Sequence, residues 1–316
     1  MKEKKNRFKK VILVLLVMFL LTGCTKNLKN ENNQAVTNPE TGQSLTANIL
    51  CLPEDETLLN IYKENKDRLG VNLDSLDICS NMHVGAGDNY DGLWSQIFVR
   101  PLAWLIIKLG LLVNNYGISV MLIGLIIRLI LLPFTITSTK QNEKMKEMQP
   151  ALAKLEKKYE NKTDAESQSR KAQETLVLYQ KYKINPMTSC LVSFIQLPLF
   201  FAFLEAINRT PAIFENYLGP FQLGTTPIFG LTHGNYWYIL LVVLIMVFTI
   251  LSFITSMSSM SGNSDQQKQT QMMMIMMIVF IGIASLQLPS AIALYWVVTN
   301  AFSVVQTYIV RKVGSK

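Results

Sequence analysis

The apolar positions of this chain gather into long runs instead of the alternation of a half-exposed surface. Runs at residues 117–134, 187–207, 236–254 and 272–310 approach or exceed the roughly 20 residues that a helix needs to cross a bilayer at about 1.5 Å per residue. The last is too long for one crossing and is interrupted by Gln287, Pro289 and Ser290, so it divides into two spans joined by a very short turn. The pattern predicts an all-α integral membrane protein with five transmembrane helices. A further apolar and aromatic stretch, residues 94–113, includes Arg100, Pro101 and Lys108. It either spans, at some cost in buried charge, or lies along the interface as an amphipathic helix with Trp94, Phe98 and Trp104 at headgroup level.

Between the first and second spans the period changes. Met145, Met148, Leu152, Leu155 and Tyr159 form one apolar seam on a helix otherwise faced with Lys and Glu. Thr163 with Glu166 fits a capping box that opens a second helix, with Ala172, Leu176 and Tyr179 as its seam. Two such helices make an antiparallel hairpin, residues 139–185.

Charge orients this pattern. The 316 residues are 16% charged, with a formal net charge of +8. Only Glu205, Arg209, Glu215, Asp265 and Lys268 are charged between Met187 and Val310, and no soluble surface of that size carries so few charges. This excludes a cytosolic enzyme and argues against a nucleic-acid binder. Residues 140–183 hold eleven basic residues, whereas 208–235 hold one, Arg209. Placing the hairpin and the C-terminal Arg311, Lys312 and Lys316 in the cytoplasm satisfies the positive-inside rule. A span at 94–113 would invert that arrangement, so topology favours an outer interfacial helix over residues 93–115.

At the N-terminus, six basic residues within the first ten precede the apolar run 11–21, followed by Leu21-Thr22-Gly23-Cys24. This reads as a signal peptide over 1–23 and a lipobox whose Cys24 is diacylated. Residues 25–45, rich in Asn, Thr and Gln, read as a flexible tether. Residues 45–91 read as a small cap with a helix near 56–69; Cys51 and Cys79 are either bridged or two unpaired thiols outside the membrane. Cys190 is expected to be a buried packing residue. The expected organisation is a signal peptide at 1–23, a lipidated extracellular tether and cap at 24–92, the interfacial helix at 93–115, a five-span core at 116–312 and a tail at 313–316.

Arg128 stands near the middle of the first span, where a charge costs about 2.5–3.5 kcal/mol on insertion scales. It faces either water and a partner, or backbone carbonyls that it merely ties together. Gln196 lies midway along the second span; Thr249, Ser252 and Ser256 recur on one face of the third; Trp296, Thr299 or Asn300, Ser303, and Gln306 or Thr307 recur on the last. Together they suggest a hydrated intramembrane groove. Met257, Met260 and the cluster from Met272 to Met277 serve either packing or contact with varied apolar segments. His83 and His233 stand alone, and no metal-ligand, phosphate-loop or nucleophile pattern is present, so neither an enzyme nor a cofactor is expected. A small anion transporter or channel using Arg128 is the alternative, although no internal repeat supports it. A purely structural lipoprotein leaves the cost of Arg128 unexplained.

Tyr116-Gly117, the run Gly124 to Pro133 through Arg128, Asn185-Pro186, the run Ile195 to Ala202 through Gln196, Leu288-Pro289-Ser290-Ala291 and the run Leu294 to Asn300 through Trp296 together resemble the YidC family of membrane protein insertases, in its Gram-positive lipoprotein form. The resemblance covers roughly residues 93–312. It implies a groove open to cytoplasm and lipid but closed outside, with Arg128 as its single positive charge and Gln196 and Trp296 among its lining. Nascent membrane proteins are the implied substrates. The basic faces of the hairpin are expected to meet anionic lipids or the ribosome by charge attraction, with the Sec translocon a further expected partner, in the cell membrane with the lipid-anchored N-terminus outside and the C-terminus cytoplasmic. Many members carry Gln near the inner end of the third span, where this chain has Ser252, Phe253 and Thr255.

Overall fold

The computed structural model describes residues 25–85, 89–162, 164–257 and 265–314. The expected signal peptide and Cys24 lie outside these, as do the side chains of Cys190, Ser256, Met257 and Met260. The described chain is an all-α protein apart from one two-stranded hairpin and a few isolated bridges. It divides into two compact units: Met1–Ile123, Leu197–Ile239 and Gln287–Tyr295 in one, Gly124–Gln196, Leu240–Leu286 and Trp296–Lys316 in the other.

The first unit contains the cap. Antiparallel bridges pair Asn27 with Thr46, Lys29 with Ala35 and Thr37 with Ser44. Asn33 turns the chain at φ 61°, and Asn30 accepts bonds from the amides of Asn32 and Gln34. Residues 25–45 are therefore packed, not a tether. Leu28 and Leu45 are fully buried among Ile49, Leu58, Tyr62, Leu76 and Phe214, which anchors the ladder to the core of the cap. Helix α1, Glu56–Glu64, starts where the Asp55 carboxylate accepts a bond from the Leu58 amide; a short 3-10 turn, Lys66–Arg68, follows. A disulfide joins Cys51 to Cys79, beside a parallel bridge between Leu52 and Ile78.

A π-helical turn, Ser95–Val99, leads into α2, Arg100–Val113. Together, Ser95–Val113 is long and apolar enough to cross a membrane, yet both of its ends bond within the first unit. Trp94 Nε1 donates to Glu205 at 3.1 Å at one end, while Lys108 Nζ donates to the Ser80 carbonyl at 3.0 Å and Asn115 Nδ2 to the Tyr217 carbonyl at 3.0 Å at the other. Gly110 is required where the chain turns into the next helix, because a Cβ there would lie 2.3 Å from the Tyr116 ring.

Helix α3, Tyr116–Ile130, and α4, Leu132–Tyr159, form a pair bent by 61°. The bend falls at Leu131, with Pro133 in the first turn of α4, where a proline is tolerated and where its ring disfavours continuation of the preceding helix in a straight line. Helix α4 thus carries the hairpin's first arm without interruption. The second arm is α5, Ala165–Lys181. Met148, Leu152 and Ile184 form the hairpin core, with Met145, Leu178, Tyr179 and Tyr182 packed against it. This corrects the expected seam in part: Leu176 is 58% exposed, and the partly buried contacts come from Leu178 and Tyr179 on α5 and from Tyr182 just past its end. The cap of α5 is Asp164, whose carboxylate accepts the Ser167 amide at 2.8 Å, so the start lies one residue beyond Thr163.

Helix α6, Pro186–Asn208, is followed by a short helix α7, Pro211–Phe214, the hairpin of β1, Tyr217–Leu218, and β2, Phe221–Gln222, and helix α8, Pro227–Thr232. Then come α9, Trp237–Met257, α10, Asp265–Gln287, and α11, Ser290–Gly314. The apolar run 272–310 breaks at Leu288 and Pro289. Among the described residues Trp237–Thr255 and Ser290–Lys312 are long and apolar enough to span, and the bent α3–α4 pair passes as one; Ile195–Asn208 and Gln271–Gln287 are shorter apolar helices.

Candidate functional site

The six residues expected to line a groove all fall in the second unit: Arg128 on α3, Gln196 on α6, Thr249 and Ser252 on α9, and Trp296 and Asn300 on α11. They come from four helices that are otherwise largely apolar. Arg128, Gln196, Ser252, Trp296 and Asn300 are half-buried, while Thr249 is only 2% exposed. Asn300 Nδ2 donates to Thr249 Oγ1 at 2.9 Å, which ties α11 to α9. These two therefore act together as an interhelical bond of the kind worth about 0.6 kcal/mol in a membrane. Ser252 offers its carbonyl to the Thr255 hydroxyl. On α11 Thr299 is buried, and Gln306 Nε2 donates to Thr135 Oγ1 at 2.5 Å. Most of the methionine cluster is open: Met272, Met273, Met276 and Met277 are exposed, which favours contact with lipid or an apolar segment over core packing. Among the described residues no group of three or more His, Cys, Asp or Glu could hold a metal ion.

The first unit holds a buried charge network that the sequence did not announce. Arg209 is 1% exposed. Its Nε donates to the Asn48 carbonyl at 2.7 Å and its Nη1 to Ser95 Oγ at 3.0 Å and Glu205 Oε2 at 3.4 Å, while its Nη2 pairs with Asp91. The Arg209 carbonyl accepts the Leu50 amide, and the Asn208 carbonyl accepts the Thr46 hydroxyl. One guanidinium thus joins the end of α6 to the cap and to the start of α2. Glu205 and Arg209 stand one helical turn apart at the end of an apolar run, the spacing of an i,i+4 ion pair, and that was the available signal.

Beside this network Glu215 accepts bonds from the amides of Glu54 and Asp55 at 3.3 and 3.4 Å. Burial pushes its carboxyl up to about 7, and the nearby Asp55 and Glu54 charges add to the rise against the lowering effect of those two amides. Glu215 also lines a cavity of about 140 Å³ with Asp55, Glu40, Tyr217 and Gln222.

Residues 108–316 match the family model described as 60Kd inner membrane protein. The chain is 35% identical over 235 residues to the membrane protein insertase YidC of Oceanobacillus iheyensis, covering 74% of this chain and 90% of that protein. It is 37% identical over 234 residues to membrane protein insertase YidC 2 of Bacillus anthracis, covering 74% and 87%. To the membrane protein insertase MisCA of Bacillus subtilis it is 32% identical over 253 residues, covering 78% and 92%. A solved structure of an active YidC insertase with its first transmembrane domain resolved aligns with a TM-score of 0.48 at 25% identity, over 71% of this chain and 48% of that one.

Proposed function

This chain belongs to the 60Kd inner membrane protein family, shared with the YidC insertases, and on that premise we propose that it guides nascent transmembrane segments into the cell membrane along a hydrophilic groove centred on Arg128. The observation that carries the reading is the family match over residues 108–316, which contains Arg128 and every other groove residue.

The mechanism needs no bond chemistry. A polar or acidic tail entering the bilayer loses hydration, at a cost of several kcal/mol for each unpaired polar group. Arg128 attracts that tail, and Gln196, Ser252 and Trp296 offer polar atoms in place of water. The apolar faces of α9 and α10 then release the segment to lipid. Desolvation is divided into smaller steps, and hydrophobic transfer drives the process.

The proposed topology puts the α4–α5 hairpin and the C-terminus in the cytoplasm, where their basic residues meet ribosomes or anionic lipid heads. It puts the cap outside, anchored through a diacylated Cys24. The interfacial position of α2 is supported by the bonds that both of its ends make to the same unit. The Sec translocon is a further partner under this reading.

The test is depletion of the native protein and complementation with Arg128→Ala and Arg128→Lys, scoring insertion of a single-span substrate with an acidic tail. A charged hydrogen bond is worth about 1.5–3 kcal/mol, so the alanine variant is expected to lose about tenfold or more while the lysine variant keeps most activity. Full insertion by Arg128→Ala sinks the electrostatic role. Solute flux through the purified protein in proteoliposomes would move the function to anion transport.

A further inference from the structure

Arg128 lies three residues before the bend at Leu131, and the hairpin leaves the far side of that bend. Two side-chain bonds from α11 reach α4 just beyond it. Gln306, 8% exposed, donates through Nε2 to Thr135 Oγ1 at 2.5 Å. The Thr135 hydroxyl in turn donates to the carbonyls at the break, 3.0 Å to Leu132 and 3.3 Å to Leu131. Two turns further along α4, Glu143 accepts from Arg311 Nε at 2.9 Å, with both side chains about one-third exposed. All of these residues belong to the second unit.

The chemistry at the break explains why such a brace is useful. Pro133 brings no N–H to the helix, so the Leu129 carbonyl gets no bond from it, while the Leu131 carbonyl at the bend accepts the Phe134 and Thr135 amides at 3.1 Å each. The Thr135 hydroxyl adds a side-chain bond at the same break, and Gln306 holds Thr135 from α11. A buried amide with one good partner has few alternatives at that depth. Glu143–Arg311 adds a second, charge-dependent tie, so α4 is held at two points along its length and cannot swing about either one alone.

We propose that Gln306 and Arg311 are positioning residues which set the direction in which the α4–α5 hairpin leaves the bend next to Arg128. The last helix thereby couples the hairpin to the groove residue, so that a segment delivered at the hairpin arrives in register with Arg128. This rests on the insertase reading of the groove.

The experiment uses the full-length protein in nanodiscs and proteoliposomes. Nitroxide labels are carried by unnatural amino acids at positions 157 and 308, both exposed, and the distance between them is read by pulsed electron resonance. The wild type gives one narrow distribution. Thr135→Val, which keeps shape and removes the hydroxyl, and Glu143→Arg, which faces Arg311 with a like charge, each broaden it. The double exchange Glu143→Arg with Arg311→Glu narrows it again, a rescue that a general loss of folding does not give. Insertion falls about fivefold in each single variant and returns to within about twofold in the exchange, the scale expected for an interhelical bond and a half-exposed ion pair. Narrow distributions in both Thr135→Val and Glu143→Arg overturn the proposal, and so does unchanged insertion alongside broadened distances. Wild-type proteoliposomes that insert nothing would sink the insertase reading instead, and the distances would still decide whether these bonds direct the hairpin.

Discussion

Replacing Arg209 by alanine leaves Asp91 and Glu205 facing each other without the guanidinium that separates them. Arg209 is 1% exposed, with the Asp91 and Glu205 side chains 16% and 8% exposed, so solvent does little to screen what remains. Removing one partner of a buried ion pair typically costs about 3–5 kcal/mol, chiefly because the other charge stays buried. The Asn48 carbonyl and the Ser95 hydroxyl also lose their donor. At about 1.4 kcal/mol per factor of ten, opening of the cap from the end of α6 becomes more frequent by about two to nearly four orders of magnitude. Hydrogen exchange in nanodiscs reads this directly at the Leu50 amide, which is bonded to the Arg209 carbonyl at 2.8 Å. Arg209→Lys keeps the charge but loses the fork, and is expected to fall between wild type and alanine. Adding Asp91→Asn and Glu205→Gln to Arg209→Ala should recover part of the loss, since the stranded charge dominates it. Exchange at Leu50 that stays as slow in Arg209→Ala as in the wild type would refute the reasoning.

Glu215 makes cap docking pH-dependent. Its carboxyl rises from an ordinary 4.5 to about 7 in the folded protein, so the folded state holds the proton more tightly than the unfolded one. The resulting stability is complete below about 4.5 and is lost as pH rises through about 7; the thermal midpoint of the cap should fall over that window. Glu215→Gln should flatten the profile, and an unchanged slope in that variant would exclude Glu215 as its source. Replacing Cys51 and Cys79 by serine opens a loop of 28 residues, which chain entropy values at about 3–4 kcal/mol. Thermal unfolding followed by tryptophan fluorescence should show that loss, whereas a midpoint equal to wild type would mean that the bridge constrains nothing.

The apolar helices were legible because hydropathy is local. Leu288-Pro289 divides the last apolar run where a proline must, and α9 contains no charged residue to obscure its ends. The hairpin was legible in kind but not in register. Thr163 and Asp164 are both good caps, and the sequence does not rank them by one residue; the carboxylate takes the Ser167 amide. Along α5 a seam through Ala172 and Leu176 differs from one through Leu178 and Tyr182 by a modest rotation, and only Met148 and Leu152 on the opposing helix select between them. The cap was misread for another reason. Residues 25–45 have the composition of a tether, and their order depends on Leu28 and Leu45 reaching Phe214, a contact far along the chain that no window of sequence contains.

Arg128 and Arg209 show how depth in the sequence pattern misleads about burial. Arg128, flanked by apolar residues on both sides, drew attention because a charge inside a span has few cheap explanations, yet it is half-buried. Arg209 looked like an ordinary loop cation just past the end of a span, yet it is nearly inaccessible and is bonded on every side. The difference follows from what each arginine can recruit. At the end of α6 the chain can bring Asp91, Ser95 and the Asn48 carbonyl together around one guanidinium, so burial is compensated and the residue becomes a structural joint. The Glu205 carboxylate is part of that joint, bonded to Trp94 and Arg209. Arg128 is instead half-buried within the second unit, and under the proposed function its charge is what attracts an anionic tail.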